Sequence, residues 1–154
     1  MAYWLFKSEP DEFGIDDLAA LGKTPEPWDG IRNYQARNIL RDQVGEGDEV
    51  LIYHSSCKLV GVAGTGKVAR AAYPDPDQFD PESKYFDPKA SEDNVRWYRV
   101  DVVFGEKFAE VLPLKAIKAM PGLEDMVLLK QGRLSVQPVT ANEWRQILKA
   151  ARSL

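Results

Sequence analysis

Three glycines, Gly61, Gly64 and Gly66, interrupt a run of otherwise strand-forming residues between Leu59 and Ala69. Val60, Val62, Thr65 and Val68 favour extended backbone, and glycine inside such a run marks a bend, a bulge or the close approach of a second backbone. The segment therefore reads as a bent strand, as at the corner of a small barrel. It also carries two superficial nucleotide-binding patterns, G-x-x-x-x-G-K from Gly61 to Lys67 and G-x-G-x-x-A from Gly64 to Ala69. Both patterns require a helix to follow, and the first requires Ser or Thr for magnesium where this chain has Val68. β-branched residues continue instead, with Pro74 and Pro76 beyond them, so neither is read as a phosphate loop.

Further strands follow from two-residue alternation. Tyr3 and Leu5 lie opposite Trp4 and Phe6 in a strand over Ala2 to Lys7, which predicts a central strand covered on both faces. Val50 and Ile52 alternate with Leu51 and Tyr53 over Glu49 to Ser55, and Val95 to Phe104 reads as the longest strand. Leu134 to Val139 alternates so as to show Ser135 and Gln137 to one side.

Helices are expected where Ile15, Leu18 and Leu21 precede Gly22, from Asn33 as N-cap to about Asp42, and from Leu114 to Met120. A terminal helix is expected behind the Thr140–Glu143 capping box, burying Trp144, Ile147, Leu148 and Ala151. Tyr73 to about Asn94, rich in Pro, Asp and Glu, reads as a long loop, functional or loosely ordered. Strands and helices mix without a repeat or a break in composition, which gives an α+β fold and a single domain over 1–154.

A net charge of −4 counts against a broad basic face for duplex binding but leaves room for a small local site. No run approaches the roughly 18 apolar residues of a membrane span, and the lone Cys57 fits a reducing compartment, so the expected location is cytoplasmic, or nuclear in a eukaryote. One His and one Cys cannot assemble a zinc set, and Asp75, Asp77, Asp80 and Glu82 lack the EF-hand spacing; neither metal nor cofactor is expected.

The segment Trp28-Asp29-Gly30-Ile31-Arg32-Asn33-Tyr34-Gln35-Ala36-Arg37-Asn38 is composed unlike a core element. Aromatic rings interleaved with guanidinium and amide groups suit a planar polar ligand such as a nucleobase. Trp4, Trp97 and Trp144 sit in periodic apolar patterns, whereas Trp28 lies between prolines and an Asp-Gly turn; both a stacking platform and a core plug stay open for it. His54 is read either as a hydrogen-bonded strand end or as a ligand contact, and Glu9, Asp11 and Glu12 either as helix-start acids or as acid/base groups.

Six segments together resemble the EVE domain, the thymocyte nuclear protein family. They are Tyr3-Trp4-Leu5-Phe6-Lys7-Ser8-Glu9-Pro10, the Trp28–Asn38 stretch, Tyr53-His54-Ser55, Tyr73-Pro74-Asp75, Tyr85-Phe86-Asp87-Pro88-Lys89 and Leu134-Ser135-Val136-Gln137-Pro138-Val139. They occur in the family's order across nearly the whole chain, with Ile31 and Phe86 as conservative variants of Val and Tyr. The resemblance implies a PUA-like curved β-barrel with helices packed around it, related to the YTH and SRA domains that read methylated bases.

It also implies a module that recognises a modified, cytosine-type base in nucleic acid, DNA ahead of RNA, and brings no catalytic residue with it. The pocket carried over comprises Lys7, Ser8 and Glu9; Trp28, Arg32, Asn33, Tyr34, Gln35 and Arg37; His54 and Ser55; and Ser135 and Gln137. Trp28 or Tyr34 is expected to stack, Asn33, Gln35, Ser8 and Ser135 to read the polar edge, and Arg32, Arg37 and Lys7 to hold phosphates.

Two competing readings remain. A small hydrolase acting on modified nucleosides would use Lys7, Glu9 or His54 as acid and base with Ser55. A protein-interaction module would show an exposed apolar patch larger than a few hundred Å².

Overall fold

The computed structural model describes residues 1–154, and all its strands join one sheet. β1 (Tyr3–Ser8), β2 (Glu26–Trp28), β3 (Glu49–His54), β4 (Gly61–Pro74), β5 (Tyr98–Pro113) and β6 (Val136–Val139) lie in the order β2-β5-β4-β3-β1-β6. β1 and β3 run parallel and every other pairing is antiparallel. A parallel pair needs a crossover, supplied here by α1 (Ile15–Ala20), β2 and α2 (Tyr34–Asp42). α3 (Leu114–Lys118), α4 (Val127–Lys130) and α5 (Ala141–Arg152) complete the chain, and no helix is long and apolar enough to cross a membrane.

The central strands are covered on both faces, as their alternation requires. Trp4, Phe6, Val50 and Ile52 pack with Ile15 and Leu18 of α1 and Ala36 and Leu40 of α2. Leu5, Leu51 and Tyr53 face the other way, into a second core with Ile117, Leu128, Trp144 and Ile147 from α3, α4 and α5. The sheet is thus the middle of three layers.

The glycines bend the sheet by letting β4 and β5 touch. A Cβ on Gly61 would lie 2.1 Å from the carbonyl oxygen of Leu112, and one on Gly64 2.3 Å from that of Glu106. The register of the two strands shifts between Val62 and Gly64 and again between Thr65 and Gly66, so the close approaches coincide with bulges. Gly64→Ala is expected to lower stability by about 1–3 kcal/mol, since backbone rather than a pliant side chain stands in the way. An unchanged urea midpoint would show that the methyl fits and that the glycine is not required.

Two expectations need correction, and one of two alternatives left open is removed. The sheet does not close: β2 and β6 are its edges, so the curved barrel is here an open, bent sheet within the PUA-like α+β arrangement. β5 continues well past Phe104 to Pro113, because β4 keeps pairing with it across the bulges. The stretch after Pro74 is not loosely ordered. Fully buried Gln78 donates from Nε2 to the carbonyls of Asp75 and Trp97, each at 2.8 Å, and its Oε1 accepts the N–H groups of Arg96 and Trp97, each at 2.9 Å. One amide side chain thereby ties together the two ends of the loop.

Candidate functional site

The topology gathers the site. β1 and β3 are parallel with Ser8 opposite His54, so both C-terminal ends open at one edge of the layers. β6 runs against β1 and begins at that same edge, where the N–H of Lys7 donates to the carbonyl of Ser135 at 2.9 Å. Ser55, the residue after β3, donates its N–H to the carbonyl of Ser8 at 2.9 Å. Three serines from three distant parts of the chain thus meet around a cleft of about 800 Å³.

Trp28 is the floor of this cleft and also part of the core. Its side chain is only 6% exposed, tilted against Phe6 at 5.9 Å and edge-on to Phe13 at 6.0 Å between centroids. Of the two roles left open by its sequence context, the packing shows the core plug, in a ring that also lines the cleft.

The long loop supplies the opposite wall. Gly30 has φ +74°, and a Cβ there would sit 2.7 Å from the ring of Tyr85, so only glycine lets that ring settle on the turn. Arg32 holds Tyr85 in place: its guanidinium donates to the Tyr85 carbonyl at 3.0 Å and to the fully buried carboxylate of Asp75 at 3.2 Å, and lies 5.2 Å from the Tyr85 ring centre.

Lys7, Ser8, Glu9, Trp28, Arg32, Ser55 and Ser135 line the cleft. Asn33, Tyr34, Gln35, Arg37, His54 and Gln137 do not, and each has a local reason. Asn33 spends its side-chain oxygen capping α2 through the N–H of Ala36, at 3.0 Å. Tyr34 stacks on Trp97 at 5.0 Å, with Arg37 over its ring at 4.8 Å. Arg37 donates to the Asn38 side chain and to the carbonyl of Arg96. Gln35 donates to the side chain of Gln131 at 3.1 Å, beside a separate groove of about 270 Å³. Gln137 is fully buried and donates to the carbonyls of Gln131 and Leu134. His54 Nε2 accepts the N–H of Ile15 at 3.1 Å and so fastens the start of α1.

The geometry also revises two assigned roles. Arg32 lines the cleft as a strut for Tyr85 and not as a free phosphate ligand, and Ser55 is not paired with a base. Its hydroxyl donates to the Ser8 carbonyl at 3.4 Å, while the His54 lone pair is taken by α1.

The lining carries both signs of charge. The Lys7 ammonium donates to the carbonyl of Gly132, and burial pushes its pKa down. Burial, and then the nearby Asp29 charge, raise the pKa of Glu26; burial, with Asp75 and Asp77 nearby, does the same for Asp29. Ser8 Oγ is buried without a hydrogen-bond partner. Ser56 is the only non-glycine residue with positive φ, at 52°, placing a strained residue in the wall. Glu26, Asp29, Ser56, Lys84, Tyr85 and Arg133 were not among the expected site residues. Of these, Asp29 and Tyr85 stand in segments that carried the resemblance, so only these two had a signal in the sequence.

His54 gives the site a pH-dependent anchor. Burial holds its pKa below the ordinary value, with Asp16 and Asp17 pulling weakly the other way. The neutral form is thus favoured by folding, so its contribution is complete above the unfolded-state pKa near 6.5 and is lost as the pH falls through the depressed folded value. His54→Gln, whose side-chain oxygen can still accept from Ile15, is expected to lose less stability than the wild type between about pH 7.5 and 5. Denaturation curves that shift equally for both proteins would remove His54 as the cause.

A bent, mixed sheet between helical layers, with an aromatic-floored polar cleft at the ends of its parallel strands, defines a PUA-like α+β domain. The chain belongs to the EVE domain family, whose model matches residues 2–150. It is 42% identical to human thymocyte nuclear protein 1 over 164 aligned positions, covering 96% of this chain and 72% of that protein. Among solved structures, a hypothetical protein from Leishmania major matches with TM-score 0.94 and 48% identity, over 99% of this chain and 96% of the other. Human thymocyte nuclear protein 1 in complex with DNA containing 5-methylcytosine matches with TM-score 0.91 and 40% identity, over 98% of each chain.

Proposed function

We propose that this chain is a nucleic-acid-binding module that receives a modified, cytosine-type base, turned out of its stack, in the cleft above Trp28. The observation that carries the reading is the relative's complex with 5-methylcytosine-containing DNA, in a fold that matches over 98% of both chains. The same complex favours DNA over RNA as the partner.

The cleft is suited to the task physically. Extruding a base costs a few kcal/mol, which stacking, worth about 1–3 kcal/mol per base, and edge hydrogen bonds must offset. Trp28 and Tyr85 offer aromatic surface, while Ser8, Ser55 and Ser135 offer hydroxyls around it. Lys7, Lys84 and Arg133 lie at the cleft for nearby phosphates. With a net charge of −4 the remaining surface adds little non-specific attraction, so discrimination falls to the base itself. Binding without turnover is favoured over hydrolysis, since Ser55 and His54 are each engaged elsewhere.

The test is an anisotropy titration at low salt with duplexes that differ only in one central base, 5-methylcytosine or cytosine, and with the corresponding RNA. Tighter binding to the methylated DNA is expected. Equal affinities across the panel would sink the reading.

A further inference from the structure

A pocket for 5-methylcytosine faces a competitor of the same shape. Thymine carries the same methyl group, so a snug cavity cannot separate the two; they differ at position 4, amine against carbonyl, and at N3. Selection must come from a polar group facing that edge.

β2 places such a group. Glu26 and Trp28 are two residues apart on one strand and therefore project from the same face. Their cross-strand partners, Val102 and Val100, are both fully buried in the core that contains Trp28, so this is the inward face. Glu26 thus brings a carboxylate alongside the indole, into the cleft. It takes part in none of the protein's ion pairs. The other acids of the cleft differ: Glu12 pairs with Lys84 at 3.7 Å, Asp29 faces Arg99 at 3.9 Å, and Glu9 is exposed.

We propose that Glu26 is the specificity-determining residue of the cleft, accepting a hydrogen bond from the exocyclic amine of a cytosine-type base and repelling O4 of thymine. The inference rests on the base-binding reading above and adds the residue that selects an amino-bearing pyrimidine over its carbonyl-bearing isostere. A half-buried carboxylate without a donor, held above its ordinary pKa by burial and by Asp29, gains from each N–H brought to it. Ser8 Oγ, buried and unpartnered, offers a hydroxyl that can donate to a ring acceptor.

An inward charge on an edge strand can also serve only to prevent sheet-to-sheet pairing. That role predicts no effect on base preference, which makes the two separable.

The experiment compares wild type, Glu26→Gln and Glu26→Asp on short adenine-rich single strands with one central 5-methylcytosine, cytosine or thymine, so that unpairing costs do not differ. Melting curves of the free proteins establish that all three are folded. Glu26→Gln can turn its amide to donate to O4, and is expected to shrink the 5-methylcytosine-to-thymine preference about tenfold. Glu26→Asp, which keeps the charge, should retain most of that preference. A wild type that prefers 5-methylcytosine, with that preference over thymine unchanged in Glu26→Gln, overturns the role of Glu26 and leaves the base-binding reading intact. A wild type that binds all three strands alike overturns both.

Discussion

Asp75→Ala should destabilise the domain by about 3–5 kcal/mol, the range for removing one partner of a buried ion pair. The carboxylate is fully buried and does three jobs at once. It faces the Arg32 guanidinium at 3.2 Å, accepts the N–H of Gly30 at 3.4 Å, and accepts the N–H of Asp77 at 2.9 Å. Without it Arg32 keeps its position against Tyr85 and Trp97 but loses its counter-charge. Asp75→Ala combined with Arg32→Ala is expected to cost clearly less than the two single losses added together, as residues in one network do. Urea denaturation of the four proteins measures this, and strict additivity would mean that the pair is not coupled.

Trp28→Ala is the second large effect, about 3–5 kcal/mol in stability, because a nearly buried indole leaves a cavity beside Phe6 and Phe13. Trp28→Phe fills most of that space and should recover much of the stability while offering a smaller stacking face. Titration with methylated DNA well below the melting temperature then separates the two contributions: Trp28→Phe is expected to fold almost normally yet bind more weakly. Wild-type affinity in either variant would show that the base does not rest on this ring.

What could be read from the chain alone was whatever depends on near neighbours in sequence. Asn33 caps α2, and Thr140 with Glu143 forms the capping box of α5, because both motifs span only one helical turn. The alternation of Trp4, Leu5 and Phe6 fixes two faces whatever they pack against, and both are indeed buried. Trp28 was ambiguous because its burial comes from Phe6 and Phe13, while its own neighbours are Pro27 and Asp29. The alternation of Ser135 and Gln137 misled because β6 starts only at Val136; Ser135 lies before the strand, and Gln137 turns to carbonyls of the preceding turn.

Glu26 was invisible for a related reason. Between two prolines it looks like loop filler, and only pairing of β2 with Val102 of β5 reveals which way it points. The family resemblance brought together the segments that surround the cleft, but a shared segment does not say which of its side chains face inward. That orientation depends on strand register and on hydrogen bonds between distant residues.

If the cleft receives an extruded base as proposed, the tethering of the long loop has a consequence for the time course of recognition. With Gln78 joining its ends and Arg32 bracing Tyr85, the wall of the cleft is already standing before a base arrives. Little chain has to be immobilised on association, so the protein imposes no slow rearrangement of its own. The pace of capture from a duplex then belongs to the nucleic acid: base pairs that open readily are sampled often, and tightly stacked ones seldom, whatever modification they carry.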